Sequence, residues 1–102
     1  MAKFGEAAVE EMNRLGMMVD LSHVSHKTMR DVVVITKSPV MFSHTACYEL
    51  ARNYRNAPDD VLTRFKKNGG VATTFFASGF LNEVELKKAD LETAVDHTCW
   101  NQ

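Results

Sequence analysis

Val19-Asp20-Leu21-Ser22-His23 and Val40-Met41-Phe42-Ser43-His44 share one pattern: a Val, any residue, a large apolar residue, then Ser-His, repeated at a spacing of 21 residues. Short apolar runs of this kind suit strands buried on both faces, and the spacing leaves room for one helix between them. Ser25 is placed to cap that helix, in which Met29, Val32, Val33 and Thr36 form the buried stripe. The β-branched run Val32-Val33-Val34-Ile35 works against helix there, and Lys37-Ser38-Pro39 ends it.

Outward from this pair the alternation continues. Before it, Phe4, Ala8, Met12 and Leu15 recur at helical spacing, with Gly16 placed to end the helix in the left-handed conformation before the strand Met17–Leu21. After it comes a long loop, Thr45–Ala57, and then the clearest helix of the chain. Pro58 stands at its first position, Asp59 and Asp60 at the positive end of its dipole, Lys66 and Lys67 at the negative end. Val61, Leu62 and Phe65 make its inner face, and Asn68-Gly69-Gly70 closes it before the strand Val71–Phe76. A weaker last helix starts near Asp90 and carries Leu91, Ala94 and Val95 inward.

Strands alternating with helices predict an α/β fold with right-handed crossovers and a parallel sheet, since parallel neighbours cannot be joined by a tight turn. Three parallel strands leave two unprotected edges, and parallel sheets normally have both faces covered. The chain therefore reads as a slice of something larger.

Its composition narrows the function. The 102 residues allow one domain, and 45% hydrophobic with 25% charged residues is the balance of a packed globular chain. Twelve basic against thirteen acidic residues, a net charge of −1, supply no field for nucleic acid. Cys47 and Cys99 are too few for a disulfide scaffold, and their pairing stays open. The start, Met1-Ala2-Lys3-Phe4-Gly5-Glu6, lacks the apolar run of a signal peptide, and no window approaches a membrane span.

If the two Ser-His runs end neighbouring parallel strands, about 4.8 Å apart, both imidazoles emerge at the same carboxyl edge of the sheet, where α/β folds bind ligands. Imidazole is the commonest protein ligand for zinc, so His23 and His44 are candidate metal ligands. The alternative is a pair of strand-end histidines with hydrogen-bonded rings and no metal. Two histidines do not complete a catalytic zinc site, which usually takes three protein ligands and an open position. Asp20, an acid inside an apolar run, suits either a carboxylate that supports a ligand His or a structural, hydrogen-bonded one.

Phe4-Gly5-Glu6, Asn13-Arg14-Leu15-Gly16-Met17, Asp20-Leu21-Ser22-His23-Val24-Ser25, Phe42-Ser43-His44 and Arg55-Asn56-Ala57-Pro58-Asp59-Asp60 together resemble the membrane (renal) dipeptidase family of zinc metallopeptidases, from about Phe4 to His97. The resemblance implies a (β/α)8 TIM barrel with two zinc ions at the strand ends and a metal-bound hydroxide that hydrolyses dipeptides. It makes this chain a partial barrel, roughly βα units 5 to 7, a single domain over 1–102 truncated at both ends. His23 and His44 then end the fifth and sixth strands as ligands of one zinc, and Arg55, eleven residues past His44, matches the Arg that holds the substrate's terminal carboxylate. A planar guanidinium suits that task. Without the resemblance Arg55 reads as a solvated loop cation; Arg52, three residues earlier and in no motif, is its internal control.

The resemblance also marks what these residues lack. The family's His-x-Asp pair, bridging Glu, further active-site His and catalytic Asp all fall outside the chain, and a barrel takes about 250 residues. No catalytic residue is assigned here. Thr74-Phe75-Phe76 replaces a more usual Asn-Phe-Tyr, and Phe80 stands where some relatives have an active-site Tyr, keeping the packing but losing the hydroxyl. His26 and His97 match no ligand motif and read as ordinary helix residues, while Thr98 to Gln102 read as foreign to the parent. By the same resemblance the parent is dimeric and secreted or lipid-anchored at the cell surface. The competing readings are an inactive fragment or interaction subunit, and a small α/β binding domain in which the Ser-His repeat is coincidence.

Overall fold

The computed structural model describes residues 1–81 and 91–99, with Cys99 described through its backbone alone. Helix α1 (Lys3–Arg14) and α2 (His26–Ile35) precede strand β1 (Met41–Thr45); α3 (Asp59–Asn68), β2 (Val71–Thr74), the short α4 (Ser78–Leu81) and α5 (Leu91–Cys99) follow. β1 and β2 pair in parallel, with Met41 opposite Val71 and Phe42 opposite Ala72. On the other side of β1 the segment around Asp20 adds one parallel rung to Met41, made by Leu21 N–H to Met41 O at 2.8 Å and Met41 N–H to Val19 O at 2.9 Å. The predicted order of parallel neighbours is therefore present.

The strand expected over Met17–Leu21 shrinks to that single rung, and Met17 and Met18 stay exposed. A strand at the margin of a sheet has a partner on one side only, and among the described residues no other segment pairs with this one. The last strand is also shorter than expected. It stops at Thr74, and Phe76 is exposed, although Phe75 N–H still reaches Thr45 O at 2.8 Å.

Alternation along the strands sets which residues meet the helices. Val19, Leu21, Val40 and Phe42 are buried against Val9, Met29, Val32, Val61 and Phe65 in one apolar core, with the Phe42 and Phe65 rings 5.2 Å apart. α1 meets this core through Val9, with Met1 and Met12 alongside, whereas Phe4 and Leu15 are exposed. The inward face of α1 is thus rotated from the stripe that its spacing suggests, because α2 receives it on the Val9 side. In α2 the Ser25 hydroxyl accepts the Thr28 N–H at 3.2 Å, and Met29 and Val32 are buried as expected. The cap and the tertiary burial outweigh the β-branched run.

Two glycines hold the geometry. Gly16 follows α1 with φ +71°, which only glycine adopts without strain. Gly70 opens β2 so close to β1 that a Cβ there would lie 2.3 Å from Val40 O and 2.5 Å from the Phe65 ring. Pro58 is the N-cap of α3, one position earlier than expected, and Val61 and Phe65 are buried with Leu62 partly so. α5 turns Ala94 and His97 inward, while Leu91 and Val95, expected there, face outward. Among the described residues no helix is long and apolar enough to cross a membrane.

Candidate metal centre

The two Ser-His dipeptides meet at the carboxyl ends of the neighbouring parallel segments. His23 Nε2 and His44 Nε2 lie 2.8 Å apart, with ring centroids at 4.8 Å. Two nitrogens on one tetrahedral zinc, each at about 2.0–2.1 Å, sit about 3.3 Å apart. Two ligands of one ion would need the rings about half an ångström further apart and both Nε2 atoms free of hydrogen. The donors fit zinc in kind, but among the described residues no third His, Cys, Asp or Glu joins them.

Each His is aimed differently. His23 has φ +68°, and it is the only described non-glycine residue with positive φ. Left-handed backbone costs an ordinary residue on the order of 1–2 kcal/mol, and such conformations cluster at functional sites. His44 is held within β1 instead: its backbone N–H donates to Ser22 Oγ at 3.1 Å, and its Nδ1 lies 2.8 Å from Ser43 Oγ. Phe75 closes the other side, its ring 5.2 Å from that of His44 in an edge-on arrangement.

Asp20 links the two arms. Its Oδ1 accepts the N–H groups of Ser22 at 2.9 Å and Ser43 at 3.2 Å, and its Oδ2 accepts the Ser43 hydroxyl at 2.5 Å. Desolvation would raise the carboxyl, but the hydrogen bonds from the Ser43 hydroxyl, the two backbone N–H groups and the Ser22 hydroxyl together outweigh it and hold it below the usual carboxylate range. Asp20 is thus hydrogen-bonded to both arms, and it reaches the His44 ring only through the Ser43 hydroxyl.

Arg55 is buried, not the solvated cation its isolated reading suggests. Its guanidinium carbon stacks 5.3 Å from the centroid of Phe75 and 5.1 Å from that of Phe80, and Nη2 donates to His44 O at 3.4 Å. Nε is buried and has no partner among the described residues. A buried guanidinium N–H without an acceptor is costly, and an acceptor anion at this point would satisfy it. Arg52 is exposed and reaches Glu49 at 3.9 Å.

The loop that carries Arg55 is more ordered than its composition suggests. Cys47 and Ala57 form a parallel bridge, and Asn56 Nδ2 donates to Ala51 O and Phe80 O, each at 2.8 Å. His26 ties in from α2, donating from Nε2 to Asn56 O at 2.9 Å with its ring against Tyr48. His97, read from sequence as an ordinary helix residue, is in fact buried at 1% exposure. Its Nδ1 accepts the Cys47 N–H at 3.0 Å, so Nε2 carries the hydrogen and donates to Leu81 O at 3.0 Å. Burial, with the Asp59 charge adding to it, pushes the Cys47 thiol up to about 12, so it is a packed thiol and no nucleophile. The sequence reading did not anticipate the burial of His97 or the stacking of Phe75 on Arg55. Their one signal is position: His97 lies three residues past Ala94 on the buried face, and Phe75 immediately follows β2.

Parallel strands with helices over one face and polar residues gathered at the carboxyl edge suit a section of a TIM barrel. The comparisons agree. The sequence pattern of the membrane dipeptidase family, peptidase family M19, matches residues 1–100, and the chain belongs to that family. It is 48% identical over 97 residues to an uncharacterized dipeptidase of Schizosaccharomyces pombe, covering 95% of this chain and 23% of that protein. To a dipeptidase of Claviceps purpurea it is 46% identical over 93 residues, covering 91% and 22%. A metallo peptidase of Rhodobacter sphaeroides, solved with a phosphinate mimic of the dipeptide L-Ala-D-Ala, superposes with a TM-score of 0.88 at 27% identity, covering 98% of this chain and 29% of that one. The chain thus spans less than a quarter of the curated relatives it matches. The expected change to foreign sequence at Thr98 is not supported: α5 continues through Cys99, Thr98 Oγ1 bonds to Ala94 O and Thr74 Oγ1, and the family match reaches residue 100.

Proposed function

We propose that this chain forms the part of a zinc-dependent dipeptidase that supplies two ligands to one metal ion, His23 and His44, and the cation that receives the substrate's terminal carboxylate, Arg55. The observation that carries this reading is the approach of the two Nε2 atoms to 2.8 Å at the tips of parallel segments. Zinc bound there would polarise a peptide carbonyl and bring the pKa of its water to about 7. The chain's own residues orient. The left-handed backbone at His23 swings one ring toward the other, β1 and Asp20 anchor the second, and Phe75 and Phe80 present the Arg55 guanidinium edge with an unspent N–H.

A dipeptide suits this layout because its carboxylate lies one residue from the scissile bond, and Arg55 contacts the carbonyl of a proposed ligand. The remaining metal donors and the proton-transferring acid belong to other barrel strands, so the 102 residues alone hydrolyse dipeptides negligibly. Two measurements test the reading. Zinc titrated into the chain binds, and His23→Ala or His44→Ala weakens binding at least a hundredfold. Residues 1–100 transplanted into the matching segment of the S. pombe relative give a hydrolase in which Arg55→Ala raises KM for dipeptides at least tenfold while Arg52→Ala does not. Zinc binding indifferent to both histidines, or hydrolysis by the isolated chain, overturns it.

A further inference from the structure

The two serines of the repeat hold different atoms of His44, and the second decides where a proton sits. Ser22 Oγ takes the His44 backbone N–H at 3.1 Å. Ser43 Oγ lies 2.5 Å from Asp20 Oδ2, 2.8 Å from His44 Nδ1 and 3.3 Å from Ser22 Oγ. A serine hydroxyl has one hydrogen, and a carboxylate only accepts. The short contact to Asp20 therefore uses that hydrogen, and Ser43 Oγ faces His44 Nδ1 with lone pairs. His44 Nδ1 must then be the donor of that bond, which leaves His44 Nε2 as a bare lone pair. The hydrogen of the 2.8 Å Nε2–Nε2 contact belongs to His23.

We infer that Asp20 and Ser43 are positioning residues that lock His44 in the Nδ1–H tautomer and so keep its Nε2 lone pair directed at a cation. His23 lacks such a brace: no hydrogen bond to its Nδ1 is found among the described residues, and its ring is set by its backbone conformation and by its contact with His44. The pair is then one fixed donor and one adaptable donor. Relays of carboxylate to imidazole fix the tautomer and orientation of metal-binding histidines in general, and their loss typically costs 10- to 100-fold in metal affinity. Here a serine is inserted between the carboxylate and the ring. The use assigned to the tautomer rests on the metal reading above; the tautomer itself does not.

The test is long-range proton–nitrogen correlation on the 15N-labelled chain at neutral pH, followed by zinc titration of the same samples. The unsubstituted chain is expected to show His44 with a protonated Nδ1 and an unprotonated Nε2. Ser43→Ala and Asp20→Asn move His44 toward the Nε2–H form and weaken zinc binding by about 10- to 100-fold, whereas Ser43→Thr, which keeps the hydroxyl, preserves both properties. His44 found as the Nε2–H tautomer in the unsubstituted chain overturns the inference without requiring any variant to fold, and so does an Ser43→Ala chain with unchanged tautomer or affinity. An Nδ1–H His44 in a chain that takes up no zinc supports the relay while defeating the metal reading. Zinc uptake with an Nε2–H His44 does the reverse.

Discussion

Val19–His23 and Val40–His44 are written almost alike, yet the second is a strand and the first a single ladder rung that breaks into a turn. In both, the Val and the large apolar residue face the helices and are buried. They part at the histidine. His44 stays in the extended chain, with Thr45 continuing β1, whereas His23 takes φ +68° and reverses the backbone so that Ser25 caps α2 two residues later. The difference teaches that the repeat marks a strand tip and its chemistry, while the length of each strand is set by its neighbours and by how soon the next helix must begin.

Perturbing each arm sharpens the contrast. The largest effect is expected at Phe42, fully buried against Phe65: Phe42→Ala should cost about 3–5 kcal/mol in urea unfolding, against about 2–4 kcal/mol for Leu21→Ala in the first arm. Should Leu21→Ala cost as much as Phe42→Ala, the smaller cavity in the first arm would be the one that relaxes less. Next, His23→Gly should raise the unfolding free energy by up to about 1 kcal/mol, because glycine takes the left-handed backbone without strain. His44→Gly, in regular strand, should lower it by about the same amount. A loss of stability in both variants would mean that the His23 ring contributes more than its backbone costs.

Asp20 joins the arms, and its effect depends on pH. Its folded carboxyl lies below the unfolded value of about 3.9, so its stabilisation is fully present above that value and is lost as pH falls through the folded pKa. Asp20→Asn should therefore narrow the difference in stability between pH 7 and pH 3 relative to the parent chain, by less than about 1 kcal/mol at this solvent-facing position. Asp60, held low by Arg30 across α2 and α3, acts in the same pH window and is common to both chains, so the comparison isolates Asp20. The smallest effect is Arg52→Ala, within about 0.5 kcal/mol by thermal melting, as expected for an exposed cation outside both arms.

Much of the fold is legible because its signals are local. Pro58, the acidic pair Asp59-Asp60, Lys66-Lys67 and Gly69 delimit α3 through dipole and cap chemistry that needs no partner. Ser25 does the same for α2. The face of α1 is not legible in this way, since a helix with several apolar residues offers more than one stripe, and only its packing on α2 selects Val9. Arg55 reads as a loop cation until Phe75 and Phe80, from 20 and 25 residues further along, cover it. His97 is harder still. A buried imidazole is tolerable only with partners for both nitrogens, and these come from Cys47 and Leu81, at separations of 50 and 16 residues.

What the amino-acid sequence determined by itself was the alternation of strands and helices, the placing of Ser-His at matched strand ends and the class of chemistry those residues allow, since each depends on periodicity, caps and residue type within a few positions. The tertiary structure alone decided that the two imidazoles point at one another, that Ser43 and Asp20 bear on one of them, and that Arg55 is buried with an unspent donor. Those depend on directions and distances between segments 20 or more residues apart, which follow from how the parallel segments pair and the helices pack over them.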